Sequence, residues 1–223
     1  MTGEHGVTGK FKFLSCNVVN DELMMPIFSI PAQMGVSTAH DIEYIDNQVR
    51  EHRVVGKIDL SLFDRGFYSK EVMHKLITRN LPYLILVPKN GEIKHEFAAM
   101  EIGEKMGIEK LYSFYDNSNK TEFNSYLNFI KGVFNRKTDS YLDWCFATNV
   151  EDIGLGSLIR TYKKRWRIET GFRVQDEANI KTKSVDIKVR YLLFAYEQLL
   201  QAHWVLFFKN DGVSFKRYLN RVG

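Results

Sequence analysis

The chain has 223 residues, 44% apolar and 26% charged, enough for one domain with a sizeable core and too apolar for a disordered segment. A formal net charge of +4 is too small to argue for nucleic acid by itself. Cys16 and Cys145 show neither metal-ligand nor disulfide spacing, so they read as buried, reduced thiols of a cytoplasmic protein. The N-terminus carries no signal-peptide pattern.

In chain order, Lys10 to Asn20 reads as a strand, and a turn at Asn20, Asp21 and Glu22 leads to a second strand, Leu23 to Ile30. Pro26 lacks an N–H, which places that strand at or near a sheet edge. Thr38 to His52 reads as a helix capped by Ser37 or Thr38, with Ile42, Ile45 and Val49 on one face. Val54 to Phe63 reads as an internal strand that runs out at Asp64, Arg65 and Gly66. Ser69 caps a helix to about Arg79, and Leu81 to Val87 is another apolar strand. Strands alternating with helical crossovers predict an α/β fold with a mixed sheet.

Asn90 to Asp143 breaks that rhythm with glycines, a polar run and aromatic-rich pieces at Leu111–Tyr115 and Phe123–Phe134. It reads as a mostly β insertion with a helix from about His95 to Met106. Tyr141 to Thr148 reads as a strand returning to the main sheet. Two helices follow, Asp152 to about Gln175 and Asp186 to about Lys209. The second is apolar but carries Arg190, Glu197, Gln198, Gln201 and His203, so it reads as a buried helix and not a membrane span. The predicted division is 1–90 as the first part of a core, 91–140 as the insertion and 141–223 as the rest of the core.

The first of these helices carries the chemistry. Leu155, Leu158, Tyr162, Arg165, Glu169, Phe172 and Asp176 recur at steps of three and four, forming one helical stripe. It opens apolar, as an inward face does, then turns polar. Charges there are costly unless paired, solvated in a cleft or bound to an ion. The helix is therefore expected to edge a site. Asp64, at a strand end, supplies a second carboxylate from a distant part of the chain. Two such carboxylates suit Mg2+ or Mn2+, and a nearby Arg and Tyr suit phosphate oxygens. That set fits two-metal phosphodiester chemistry. The cations crowded into Arg160–Lys188 fit a phosphate backbone, or equally a solvated helix face.

Other signals are weaker. Gly9-Lys10 lacks the rest of a phosphate-binding loop, and Gly154-Leu155-Gly156 lacks the third glycine of a dinucleotide site. The six histidines show no metal spacing, and no nucleophile elbow occurs. Trp144 and Trp166 read as packing residues. Arg65 reads as a residue that orients Asp64, touches DNA or forms a structural ion pair.

Asp-Arg-Gly-Phe-Tyr-Ser (Asp64 to Ser69) resembles the second-carboxylate motif of DDE transposases of insertion-sequence family four. Tyr162, Arg165 and Glu169 are similar to that family's Tyr-Arg-Glu signature, and Phe146-Ala147-Thr148-Asn149 precedes it as in the family. The resemblance covers roughly Gly6 to Phe208. It implies a ribonuclease H-like mixed sheet with flanking helices, interrupted by a β-rich insertion. It implies Asp64 and Glu169 as catalytic metal ligands for Mg2+ or Mn2+, and Tyr162 and Arg165, with Lys164 and Arg65, as contacts to double-stranded DNA. The implied activity is cleavage at transposon ends and attack of a 3′-hydroxyl on target DNA, by a nucleoid-associated homodimer with no membrane attachment.

Two departures stand out. Asp176 occupies the place of the family's lysine, seven residues after the glutamate. The family's first catalytic Asp lies on the first core strand, ahead of a segment like His5-Gly6, and Asp21 and Asp59 do not fit that place. The expectation is thus an N-terminally truncated transposase lacking the first core strand, or a non-catalytic remnant that binds DNA or inhibits a full-length transposase.

Overall fold

The computed structural model describes residues 11–21, 24–32, 35–53, 55–100, 107–135, 139–178 and 180–222. Lys10, Glu22, Leu23, Val54 and the end of the helix predicted to Met106 lie outside them. The described residues divide into two compact units, one drawn from residues 1–54 and 164–223 and the other from residues 55–163.

In the first unit, β1 (Phe13–Val19) and β2 (Met24–Pro31) form the expected antiparallel hairpin. In this two-stranded sheet both strands are edges, where proline is tolerated, and Pro26 lies opposite Asn17 at a shift in the register. Helix α1 (Thr38–Glu51) begins where the Ser37 side chain accepts the N–H of His40, and it buries Ile42 and Val49. Buried Asp46 on the same helix is held by Arg50 at 2.8 Å.

The second unit is a five-stranded mixed sheet in the order β3-β4-β7-β6-β5, with flanking helices. It is compatible with the ribonuclease H-like core expected. β3 (Ser61–Phe63) pairs parallel with β4 (Tyr83–Leu86) across helix α2 (Lys70–Thr78), whose cap is Ser69. Helix α3 (Gly91–Ala99) follows, and Lys131 Nζ donates to its last carbonyls, those of Phe97 and Met100. β5 (Gly107–Asp116) and β6 (Thr121–Asn135) form a long hairpin, and β7 (Ser140–Thr148) lies between β6 and β4. The predicted strands of the 91–140 segment are thus present, and they join the same sheet through β7.

Two glycines have steric reasons. Gly132 sits at a left-handed φ of 71° where the β6–β7 register shifts, a β-bulge, and donates its N–H to Asp143. A Cβ on Gly107 would collide with the Leu155 side chain. At the β5–β6 turn, Asp116 is almost wholly buried and accepts from Ser118 N–H, Asn119 Nδ2 and His74. Burial pushes its carboxyl up, but these donors outweigh that and hold it below the usual carboxylate range.

Four expectations need correction. The strand predicted from Val54 is regular only over Ser61–Phe63 and stands at the edge of its sheet, so Asp59 precedes it and shares no strand with Asp64. The alternating residues Ile58 and Leu60 gave a strand period to a segment that has no ladder partner among the described residues. The helix predicted from Asp152 to Gln175 is two helices, α4 (Leu155–Lys163) and α5 (Trp166–Gln175), parted by a turn at Lys164 and Arg165. Helix α6 (Ile187–Phe207), capped by Asp186, is not buried: Leu192, Tyr196, Leu199, Leu206 and Phe207 are exposed. Cys145 is buried as expected, whereas Cys16 is only partly so. Burial, with the charge of Asp46 second, still raises the Cys16 thiol to about 11; burial, then Glu96, raises Cys145 further. A last helix, α7 (Phe215–Val222), follows α6. No helix among the described residues is long and apolar enough to cross a membrane.

Candidate active site

Asp64 lies one residue past β3 and caps a single 3-10 turn, Arg65–Phe67, through an N–H···O bond of 2.7 Å from Arg65 to Oδ1. The rest of its motif is spent on local structure. Phe67 packs back on Phe63 with tilted rings 5.6 Å apart, Ser69 starts α2, and burial raises the Tyr68 phenol to about 12, with Cys145 and Glu92 adding to it. Arg65 and Gly66 are left exposed at the tip. The motif therefore turns the chain sharply at the end of a strand and holds the Asp64 carboxylate there. A Cβ added at Gly66 would meet nothing within 4 Å.

The strand before the signature is anchored by a residue that sequence reasoning noted only as familial. Asn149, just past β7, accepts the Tyr83 N–H on Oδ1 and donates through Nδ2 to the Leu81 carbonyl, both at 3.0 Å. Its side chain continues the β4–β7 ladder by one more step. An Asn immediately after an apolar strand was the signal for it.

Tyr162, on α4, is 1% exposed. Its ring packs in the apolar cluster of Leu84, Ile130, Phe146 and Leu158, 4.9 Å from Phe146 and edge-on to Trp144. Trp144 is thus a packing residue, as expected, and Trp166 is 40% exposed.

Beyond the turn, the other signature residues belong to the first unit. Lys164 Nζ lies 3.1 Å from Asp21, and Arg167 Nη1 donates to the Asn20 carbonyl at 2.8 Å, so α5 is tied to the β1–β2 turn. A Cβ on Gly171 would collide with Met24 Cε, and Gln201 Nε2 of α6 donates to the Gly171 carbonyl. The glycine thus admits β2 and α6 close to α5. Arg165, 12% exposed, donates through Nη2 to Glu169 Oε1 at 2.8 Å, and Glu169 itself is 62% exposed. Glu169 stands in the first turn of α5, where the helix dipole favours a carboxylate. Asp176, in the place of the expected lysine, is exposed at the end of α5. Arg160 and Lys163 in one unit, and Arg173, Lys181, Lys183 and Lys188 in the other, are also exposed.

Asp64 and Tyr162 are placed in one compact unit, and Lys164, Arg165 and Glu169 in the other. Both candidate metal ligands are carboxylates, the hard-oxygen donors that suit a divalent ion, so their chemistry fits Mg2+ or Mn2+. Among the described residues no three His, Cys, Asp or Glu side chains come together in a group that could hold a metal ion.

Comparison with curated proteins finds no match. Comparison with protein families does. A family model described as a transposase DDE domain matches residues 15–184, a span that contains Asp64, the β-rich segment and the whole signature from Tyr162 to Glu169. The chain belongs to the transposase DDE domain family.

Proposed function

We propose that the chain is the catalytic domain of a transposase of insertion-sequence family four, acting on double-stranded DNA to cut element ends and join a 3′ end to target DNA. One observation carries the reading. The family match spans both carboxylates, and Glu169 stands exposed in the first turn of a helix, paired with Arg165, at the signature spacing. In this reading residues 91–140 are an insertion between core segments 1–90 and 141–223, and two copies act together.

Asp64 and Glu169 would hold the Mg2+ or Mn2+. An ion bound there supplies Lewis-acid polarisation of the scissile phosphate and lowers the pKa of the attacking water or 3′-hydroxyl. The Arg65 N–H fixes the orientation of the Asp64 carboxylate. Arg165 holds Glu169 and presents guanidinium N–H groups suited to a phosphate, with Lys164 and exposed Arg65 beside the two acids in sequence. The buried Tyr162 ring anchors α4, so its contribution to phosphate binding is to fix where the residues that follow begin.

The test is a nicking and strand-transfer assay on a cognate element end with Mg2+ or with chelator, alongside gel shifts. The expected result is Mg2+-dependent cleavage by the chain, abolished in Asp64→Asn and Glu169→Gln while DNA binding persists. The exposed cations of α5 and the segment after it suit a second reading as well, a chain that binds DNA or restrains a full-length transposase without cutting. Retained gel shift with no nicking would select it. Equal cutting of random-sequence DNA would mean a general nuclease instead.

A further inference from the structure

Asn128 is a polar side chain set into an apolar face. It lies within β6, is 1% exposed, and is paired with Glu109 of β5 on one side and Phe146 of β7 on the other. Cross-strand partners share a face of a sheet. This is the face that α4 covers, since Phe146, and Ile130 two residues along β6, belong to one cluster with Leu158 and Tyr162. Leu155, the first residue of α4, reaches Gly107, two residues before Glu109 on β5. Asn128 and Glu109 therefore stand beside the start of α4, where the apolar cluster ends.

Both polar atoms of the Asn128 amide and Oε2 of Glu109 are buried, and none has a hydrogen-bond partner among the described residues. Their polar neighbours on the same face are engaged elsewhere. The Tyr126 phenol donates to the Glu151 carboxylate, and Thr148 Oγ1 accepts the Val150 N–H. Buried polar atoms in native folds are matched by protein or by ordered water, so three unmatched ones at facing positions mark a site. The atoms also define what it takes. Nδ2 needs an acceptor, while Oδ1 and Oε2 need donors. A cation would serve the oxygens and leave the amide N–H groups unmet, and an anion would be repelled by Glu109. Water serves all three. With Cβ atoms about 5 Å apart across the strands, the two side chains stay within reach of one bridging molecule. We propose that Asn128 and Glu109 form a buried hydration site, in which bound water accepts from Asn128 Nδ2 and donates to Asn128 Oδ1 and Glu109 Oε2. The water couples β5 to β6 through side chains that do not bond each other. The site stands on these atoms and does not depend on the transposase reading.

Nuclear magnetic resonance of the full chain gives the direct test. The Asn128 side-chain amide, assigned by its loss in Asn128→Leu, should show a cross-peak to a long-lived water with the sign of the protein's own signals. A wild-type Asn128 amide with no such cross-peak overturns the proposal whatever the variants do. Urea unfolding gives the second test. Asn128→Leu and Glu109→Leu should each lower the midpoint, because each leaves the water and the other residue with an incomplete set of partners. The double substitution should regain most of the loss, since removing both polar groups removes the need for water. Additive losses, or an Asn128→Leu chain more stable than wild type, overturn the proposal. Exchanging potassium for choline at fixed ionic strength should leave the midpoint unchanged. A midpoint that rises with potassium would mean a bound cation and would also overturn it.

Discussion

Tyr162 and Glu169 belong to one evenly spaced series of residues, yet their surroundings are opposite. Tyr162, in the last turn of α4, lies inside an apolar cluster that includes Phe146 and Leu158, and Glu169 stands on α5 with most of its side chain in solvent. Between them the helix stops for two residues, at Lys164 and Arg165, where one compact unit gives way to the other. Spacing reports which residues share a face of a helix. It does not report what that face meets, and here the first half meets a sheet while the second meets water and the β1–β2 turn.

Several substitutions would sharpen or break this contrast. The largest effect is expected at the buried end. Tyr162→Ala should lower stability by about 3–5 kcal/mol, the usual cost of removing a large ring from a packed core, measured by urea unfolding. A loss under about 1 kcal/mol would mean that the ring is not part of the core. Next comes the crossing point on α5. Gly171→Val should cost about 1–3 kcal/mol by forcing Met24 and Gln201 away, read as a drop in melting temperature. The acid dependence of unfolding should report on Asp116. Its folded pKa is below the ordinary value, so its contribution is complete above the usual carboxylate range and is lost as pH falls through the lowered value. Asp116→Asn should therefore be less stable than wild type at neutral pH and lose less on acidification, and parallel pH curves would refute the assignment. Smallest of all, Glu169→Gln and Lys164→Ala should each shift stability by only about 0.2–0.5 kcal/mol, as exposed pairs do, so any loss of DNA cutting by Glu169→Gln is chemical and not structural.

Much of the local structure was legible because it is encoded by side chains acting on their own backbone. Ser37, Ser69 and Asp186 each cap the helix they were expected to cap or begin, and the β1–β2 hairpin follows from its turn residues. What the sequence concealed depends on what lies across a gap. Ile58 and Leu60 alternate like a strand but have no ladder partner among the described residues, and α6 is apolar enough to read as buried although its apolar side faces out. The site was legible as residues and not as geometry. Asp64 at a strand end and Glu169 on a helix were both identifiable. The break before α5 was not, because neither Lys164 nor Arg165 is a helix-breaking residue.

The Asn149 bridge to Leu81 and Tyr83 has a consequence for how this fold can vary. It closes a circuit of more than sixty residues with two hydrogen bonds, so the end of β7 is pinned beside the start of β4 whatever happens in between. The tip of the β5–β6 hairpin can then be shortened, lengthened or exchanged while α4 still starts from the same point. The entropy of closing a longer loop rises by only about 0.6 kcal/mol per doubling, a small cost against such a fixed closure. A single amide thus fixes this end of the sheet, so that a change of length in the exposed turn after Asp116 need not disturb the helix that follows.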